Sequence, residues 1–265
     1  MPFVYRYARG RFDGRDLAVV RERPLSIFVN GGELATLLCS PNELEALVVG
    51  FLYFEGVIDS LDDLEELRLE EAEGWAEVRV ARPFRPRRRI FTSGCTGGIT
   101  FSFDYAPPLD SGQMVEGGRL YPLLYAMYQR ATQYQASRGI HAAGLADGRE
   151  VLLVAEDVGR HNAVDKIQGL ALLRGIETTD RILLSSGRIS SEMLRKGAKM
   201  RTPIIASRTS PTELAIEWAK RLGITLVGYV RPDSFNLYSH PERLRLPSQP
   251  PAAVGARAGA EPTGT

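Results

Sequence analysis

Apolar and polar positions change rhythm along this 265-residue chain. In the first third the rhythm is mixed. The pattern predicts strands over 25–29 and 33–38, joined by Asn30-Gly31-Gly32, a hairpin signal. Ser40-Pro41-Asn42-Glu43 then opens a helix, with Ser40 as N-cap, Pro41 in the first turn and Glu43 completing a capping box. That helix is expected to reach Glu55 and stop at Gly56, with further strands at 67–69 and 76–80. After a turn-rich link at 106–112 the rhythm alternates. A helix is expected over 120–136, and short apolar strands over 151–155, 181–185, 203–207 and 225–230. Helical stretches at 162–174, 190–200 and 211–222 separate them, with Gly223 as a C-cap. Such alternation predicts a mainly parallel sheet covered by helices. Asn162, Ser190 and Ser210 are expected N-caps.

This organisation divides the chain into a smaller α+β region over 1–112, an α/β domain over 113–245 and a tail over 246–265. Twelve of the twenty tail residues are Pro, Ala or Gly, a disorder composition.

The four strand ends of the second part share a chemistry. They are followed by Glu156-Asp157-Val158-Gly159-Arg160-His161-Asn162, Ser186-Gly187-Arg188-Ile189-Ser190, Arg208-Thr209-Ser210 and Arg231-Pro232-Asp233-Ser234. Ligands in open α/β sheets sit beyond the carboxyl ends of strands, where helix N-termini favour anions. Four arginines converging there would suit an anion with several phosphates. The plain alternative for each is a solubilising loop residue or an N-cap. A P-loop lysine motif and a complete Gly-x-Gly-x-x-Gly are both missing, which weakens ATPase and Rossmann readings.

Net charge is +1, so neither nucleic acid nor an anionic membrane is an expected partner. Of the 33 basic residues 29 are arginine, a skew that genomic base composition also explains. The longest apolar run, 46–54, is too short to span a bilayer, and the N-terminus lacks a signal core. A soluble cytoplasmic protein with reduced thiols is expected.

Two cysteines are too few for a disulfide scaffold or a four-thiolate zinc site. Cys95 lies in Thr92-Ser93-Gly94-Cys95-Thr96-Gly97-Gly98, downstream of Arg82, Arg85, Arg87, Arg88 and Arg89. Nearby positive charge favours a thiolate, so Cys95 reads as reactive, against the plain alternative of an inert buried thiol. Cys39 reads as a small packed hydrophobe. His141, His161 and His240 all lie near strand-end segments. His161, at a helix start, is favoured neutral by the dipole. A metal site from the three is poorly supported. His240-Pro241-Glu242 resembles part of a zinc deaminase signature, but no Pro-Cys-x-x-Cys follows it.

Several segments together resemble the FdhD/NarQ family, the formate dehydrogenase accessory proteins. They are Phe28-Val29-Asn30-Gly31-Gly32-Glu33, Gly50-Phe51-Leu52, Ser93-Gly94-Cys95, His141-Ala142-Ala143, Ser186-Gly187-Arg188 and Tyr238-Ser239-His240-Pro241-Glu242-Arg243-Leu244. Most specific is Glu156-Asp157-Val158-Gly159-Arg160-His161-Asn162-Ala163-Val164-Asp165-Lys166. The resemblance covers residues 20–245. It implies a cytidine-deaminase-like layered α/β fold, helices on both faces of the sheet, without the deaminase zinc, plus a smaller α+β N-terminal or inserted domain. It also implies a homodimer and sulfur carriage. A cysteine desulfurase would load a persulfide on Cys95. The sulfur would pass to the molybdenum bis(molybdopterin guanine dinucleotide) cofactor, or its tungsten analogue, before insertion into formate dehydrogenase. The stretch matching the family's cofactor-binding segment is Tyr229, Val230, Arg231, Pro232, Asp233 and Ser234. With it we group Arg160, His161, Ser186, Gly187, Arg188 and Arg208. Where many members have Cys-x-x-Cys, this chain has Gly98 in the second position. Three readings follow: Cys95 suffices alone, Cys39 substitutes, or the protein is a non-catalytic chaperone for the cofactor.

Overall fold

The computed structural model describes residues 2–81 and 108–245. Cys95, the arginines upstream of it, Gly98 and the tail over 246–265 lie outside the described residues.

The chain begins with an antiparallel ribbon, β1 (Phe3–Ala8) and β2 (Arg11–Asp16). Next come β3 (Arg23–Val29) and β4 (Gly32–Cys39), joined as the sequence predicts. Asn30 and Gly31 both take positive φ, 49° and 80°, as a two-residue turn matched to strand twist requires. Helix α1 (Leu44–Glu55) ends on Gly56 at φ 72°. Strands β5 (Leu64–Glu70) and β6 (Trp75–Val80) complete a four-stranded sheet in the order β4-β3-β6-β5.

The start of α1 departs from expectation. Glu43, in the left-handed region, precedes the helix, and no side chain caps it. Ser40 is fully buried; its amide donates to Asp157 Oδ2 at 3.0 Å and its hydroxyl accepts from Val158 N at 2.9 Å. The long-range bonds take the serine away from its own helix, because a buried polar group left without partners costs more than a lost cap gains.

After β7 (Val115–Glu116), helix α2 (Leu120–Arg130) and helix α3 (Thr132–Ser137) replace the single helix predicted over 120–136. The break at Ala131 has a visible cause. The Glu156 carboxylate accepts from Tyr134 N at 2.6 Å and Gln133 N at 3.2 Å, drawing those amides out of a continuous ladder.

The large sheet is then built from β8 (His141–Ala146), β9 (Val151–Asp157), β10 (Ile182–Ser185), β11 (Ile204–Ser207), β12 (Thr225–Gly228) and β13 (Asn236–Ser239). Its helices are α4 (Arg160–Leu173), α5 (Ser191–Lys199) and α6 (Glu213–Leu222). A final short strand, β14 (Leu244–Arg245), pairs with β7. The order is β13-β12-β11-β10-β8-β9. The sheet is mixed rather than mainly parallel: β8 and β13 run against their neighbours. Strand β8 precedes the alternating units and inserts between β9 and β10, a placement that periodicity does not encode.

Both faces are covered, as expected. Leu183, Ile205 and Leu226 pack with α4, α5 and α6, while Leu184, Ala206 and Val227 pack with α2. Burial on both faces explains why these strands read as continuous apolar runs. Ser190 caps α5 as predicted, but Thr212, not Ser210, caps α6, and Gly159, not Asn162, precedes α4.

The two sheets meet through α1 and α4, both buried nearly all round. A β-carbon on Gly50 would lie 1.8 Å from the Asp165 carbonyl oxygen, and one on Gly169 would lie 1.8 Å from that of Ala46. Only glycine permits this backbone-to-backbone approach. Among the described residues no helix is long and apolar enough to cross a membrane.

Candidate functional site

Strands β9, β10, β11 and β12 all point the same way, so their carboxyl ends share one edge of the sheet. All twelve residues expected to bind cofactor therefore lie along that edge. The edge is long, however. Four inter-strand steps of about 4.8 Å separate β9 from β12, about 19 Å in all. The arginines accordingly form two pairs rather than one cluster.

The first pair is Arg160 and Arg188. Arg160 opens α4, is partly buried, and its guanidinium is held below its ordinary basicity by burial and by Arg188. Arg188 is exposed. A β-carbon on Gly187 would lie 3.1 Å from Arg160 Cβ and 3.3 Å from His141 Cε1, so this corner is tightly built. Ser186 Oγ lies 3.2 Å from His141 Nδ1 and accepts from Ala142 N at 2.9 Å.

The second pair is Arg208 and Arg231. Arg231 Nη1 donates to the Arg208 carbonyl at 2.9 Å. The Arg208 guanidinium lies over the Tyr128 ring, 5.4 Å from its centroid. The stretch from Tyr229 to Ser234 is a turn closed by Arg231 N donating to Ser234 O at 2.8 Å. Tyr229 is exposed with φ 53°, and Arg231, Pro232, Asp233 and Ser234 are exposed as well. Val230 is fully buried, so only its backbone could face a ligand.

The segment from Glu156 to Lys166 divides into a lock and a presented part. Lys166 Nζ and Asp157 Oδ2 are 2.6 Å apart with both side chains wholly buried. Asp157 Oδ1 also accepts from Gly159 N and Asn162 Nδ2, and Asn162 Nδ2 donates to Leu38 O. Lys166 further donates to Glu156 O at 3.0 Å and Ser40 O at 3.3 Å. These bonds fasten the start of α4 to the β4–α1 connection. Arg160 and His161 stand outside the lock, at the sheet edge.

His161 is largely but not fully buried and is shifted down to about 2, first by burial and then by Lys196, Arg160, His141 and Arg195. Glu192 Oε2, 3.4 Å from Nε2, pulls the other way and is outweighed. The neutral ring expected from the helix start is therefore kept neutral chiefly by burial. His141 is lowered too, by burial and Arg160. Above pH 6.5 an imidazole is neutral in both folded and unfolded chains. Below 6.5 the unfolded chain takes up a proton that the folded His161 refuses, so stability falls as pH falls. The loss is about 1.4 kcal/mol per pH unit. Urea unfolding should show wild type losing about 2 kcal/mol more than His161→Gln between pH 7 and pH 5. Equal losses would show that His161 takes up its proton in the fold.

The three histidines do not converge. His240 follows β13 at the opposite edge, and its ring nitrogens face Glu242 Oε1 at 2.8 Å and Lys220 O at 2.9 Å. Among the described residues no group of three His, Cys, Asp or Glu side chains is placed to hold a metal ion. Cys39 is the packed thiol expected: fully buried, with its Sγ donating to Arg23 O at 3.7 Å. Burial, then Asp157, pushes it up to about 12, which keeps it protonated.

His141, singled out in the sequence, reaches this corner because β8 runs antiparallel and starts at this edge. Sequence reasoning missed other contributors. Glu192, Tyr128 and Tyr134 arrive from helices, and nothing in their local sequence signals it.

This chain matches the family model described as FdhD/NarQ family over residues 20–245. It is 38% identical over 251 residues to the sulfur carrier protein FdhD of Bacillus subtilis, covering 91% of this chain and 96% of that protein. Its identity to the sulfur carrier protein FdhD of Geobacillus kaustophilus is 36% over 250 residues, with 91% and 95% covered. The crystal structure of a formate dehydrogenase accessory protein from Desulfotalea psychrophila superposes with a TM-score of 0.76. It is 28% identical, with 92% of this chain and 98% of that one covered. With the Glu156–Lys166 lock and the shared strand-end edge both in place, these likenesses assign the chain to a family: it belongs to the FdhD/NarQ family.

Proposed function

We propose that this protein is a sulfur carrier serving formate dehydrogenase maturation, working in the cytoplasm as a homodimer. Cys95 accepts sulfur from a cysteine desulfurase as a persulfide. It passes that sulfur to the molybdenum bis(molybdopterin guanine dinucleotide) cofactor, which is cargo rather than a resident group. The observation that carries this reading is the likeness, over nine-tenths of the chain, to relatives named sulfur carriers. The geometry supports it. An edge of about 19 Å with an arginine pair near each end suits an extended dinucleotide better than a single phosphate.

Loading requires a thiolate. The Cys95 sulfur attacks the outer sulfur of the desulfurase persulfide, a new S–S bond forms on Cys95, and the desulfurase cysteine leaves as thiolate. Cys39 is unsuited to share this work, being buried and protonated. With Gly98 where a second loop thiol would stand, the reaction rests on Cys95 alone. Gly98 also supports a second reading, a chaperone that holds the cofactor without transferring sulfur.

Incubation with a desulfurase and cysteine, followed by mass spectrometry, separates the two. The expected result is one added sulfur on Cys95, abolished in Cys95→Ser and retained in Cys39→Ser. If Cys95→Ser restores formate dehydrogenase activity to a strain lacking the native protein, the chaperone reading replaces the carrier.

A further inference from the structure

We propose that the N-terminal ribbon of β1 and β2 is the surface through which two copies of this chain associate, aromatic face against aromatic face. The inference rests on the homodimer reading given above and deepens it by naming the surface.

Residues directly opposite each other in an antiparallel pair share a face. The register sets Phe3 against Asp16, Tyr5 against Gly14 and Tyr7 against Phe12. One face of the ribbon is therefore Phe3, Tyr5, Tyr7 and Phe12, with Asp16 at its rim. A β-carbon on Gly14 would stand 2.3 Å from the Phe3 ring, so the glycine makes room for that ring on this face. The Phe3 and Tyr5 rings meet edge to face at 5.3 Å, and those of Tyr7 and Phe12 also lie 5.3 Å apart. The other face carries Arg6, Arg11, Asp13 and Arg15. Alternation of aromatic and charged positions is the pattern of a strand pair covered on one side.

Among the described residues the chain does not supply that cover. The four aromatic side chains are 61% to 73% exposed, and no ribbon residue joins any of the three core clusters. At about 200 Å² for each aromatic side chain, the face offers on the order of 500 Å² of apolar surface, the size of an interaction patch. A two-stranded ribbon by itself is marginal in water. A partner that came and went with sulfur transfer would leave it unsupported between encounters, whereas a second copy is always at hand. The face also matches itself, since it is apolar and carries charge only at Asp16. Other exposed large apolar side chains, such as Leu38, Leu173, Leu214 and Leu237, each stand on a different element and build no competing face. Two ribbons laid together about a two-fold axis make an isologous contact. It removes roughly 1,000 Å² from water, about the least that a specific interface needs. Arg6, Arg11 and Arg15 then stay on the side away from the contact.

Sedimentation equilibrium of the full chain tests this. Wild type should be a dimer. Tyr5→Asp combined with Tyr7→Asp puts like charges into the covered face and should weaken dimerisation at least about thirtyfold, as loss of interface anchors does. Circular dichroism should show the variant folded, because the ribbon adds nothing to the core. Deletion of residues 2–16 should also give a monomer, without introducing charge. Tyr5→Phe combined with Tyr7→Phe should dimerise as wild type does, and so should Arg6→Ala on the opposite face. If either the aspartate variant or the deletion dimerises as wild type does, the ribbon assignment is overturned and the homodimer reading stands. If wild type is monomeric, both fall, and retention of a cysteine desulfurase by wild type but not by the aspartate variant would give the face to that enzyme.

Discussion

Replacing Gly169 with alanine should destabilise this protein by about 3 kcal/mol or more, toward the upper end of overpacking costs. The added β-carbon would stand 1.8 Å from the Ala46 carbonyl oxygen, 2.6 Å from its carbon and 2.8 Å from its Cα. All three are backbone atoms of α1, so no rotamer change relieves the clash. The helices must separate, and α1 is buried against the small sheet on its far side, through Leu47, Val48 and Leu52. Gly50→Ala meets the mirror problem, 1.8 Å from the Asp165 carbonyl oxygen. Gly112→Ala is the control, since nothing lies within 4 Å of the added carbon there. Chemical unfolding should place both helix variants several kcal/mol below wild type and the control near it. A Gly169→Ala variant within 1 kcal/mol of wild type would show that α1 and α4 are not in backbone contact.

A comparable loss is expected for Lys166→Met. Its ammonium is wholly buried among Asp157 Oδ2, the carbonyls of Glu156 and Ser40, and Asn42 Oδ1. Removing one member of a buried ion pair costs about 3–5 kcal/mol, because the remaining charge stays in a low-dielectric site. Asp157 keeps three N–H donors but loses its counter-ion. Lys166→Arg should not rescue, since a planar guanidinium does not fit the space of a compact ammonium. The loss should extend to the sheet edge, because this lock fastens the turn that presents Arg160 and His161. Retained stability in Lys166→Met would mean that the pair is not a structural lock.

Asp165 and Lys166 are neighbours in sequence on α4. They serve opposite directions: Asp165 pairs with Lys196 of α5, and Lys166 with Asp157 at the end of β9. Both carboxylates and both ammonium groups are buried, which a helical charge pattern does not announce.

Much was determined by sequence alone. The hairpin at Asn30-Gly31, the C-caps at Gly56 and Gly223, the Ser190 cap and the four short apolar strands of the second part are local. Each follows from backbone preference or from a side chain meeting amides three residues away. The arginines after four strands were legible for the same reason, since each needs only a strand end to be recognised. What the sequence left open is long-range. The insertion of β8 between β9 and β10 decides that His141 joins this corner. The removal of Ser40 and Asn162 from cap duty was decided by buried Asp157, 117 residues from Ser40. Glu156 broke a helix predicted to be continuous by accepting two of its amides from another strand. In the last two cases a buried polar group drew its partners away from their local roles, and in low dielectric that demand outweighs the roughly 1 kcal/mol that a cap or local propensity contributes.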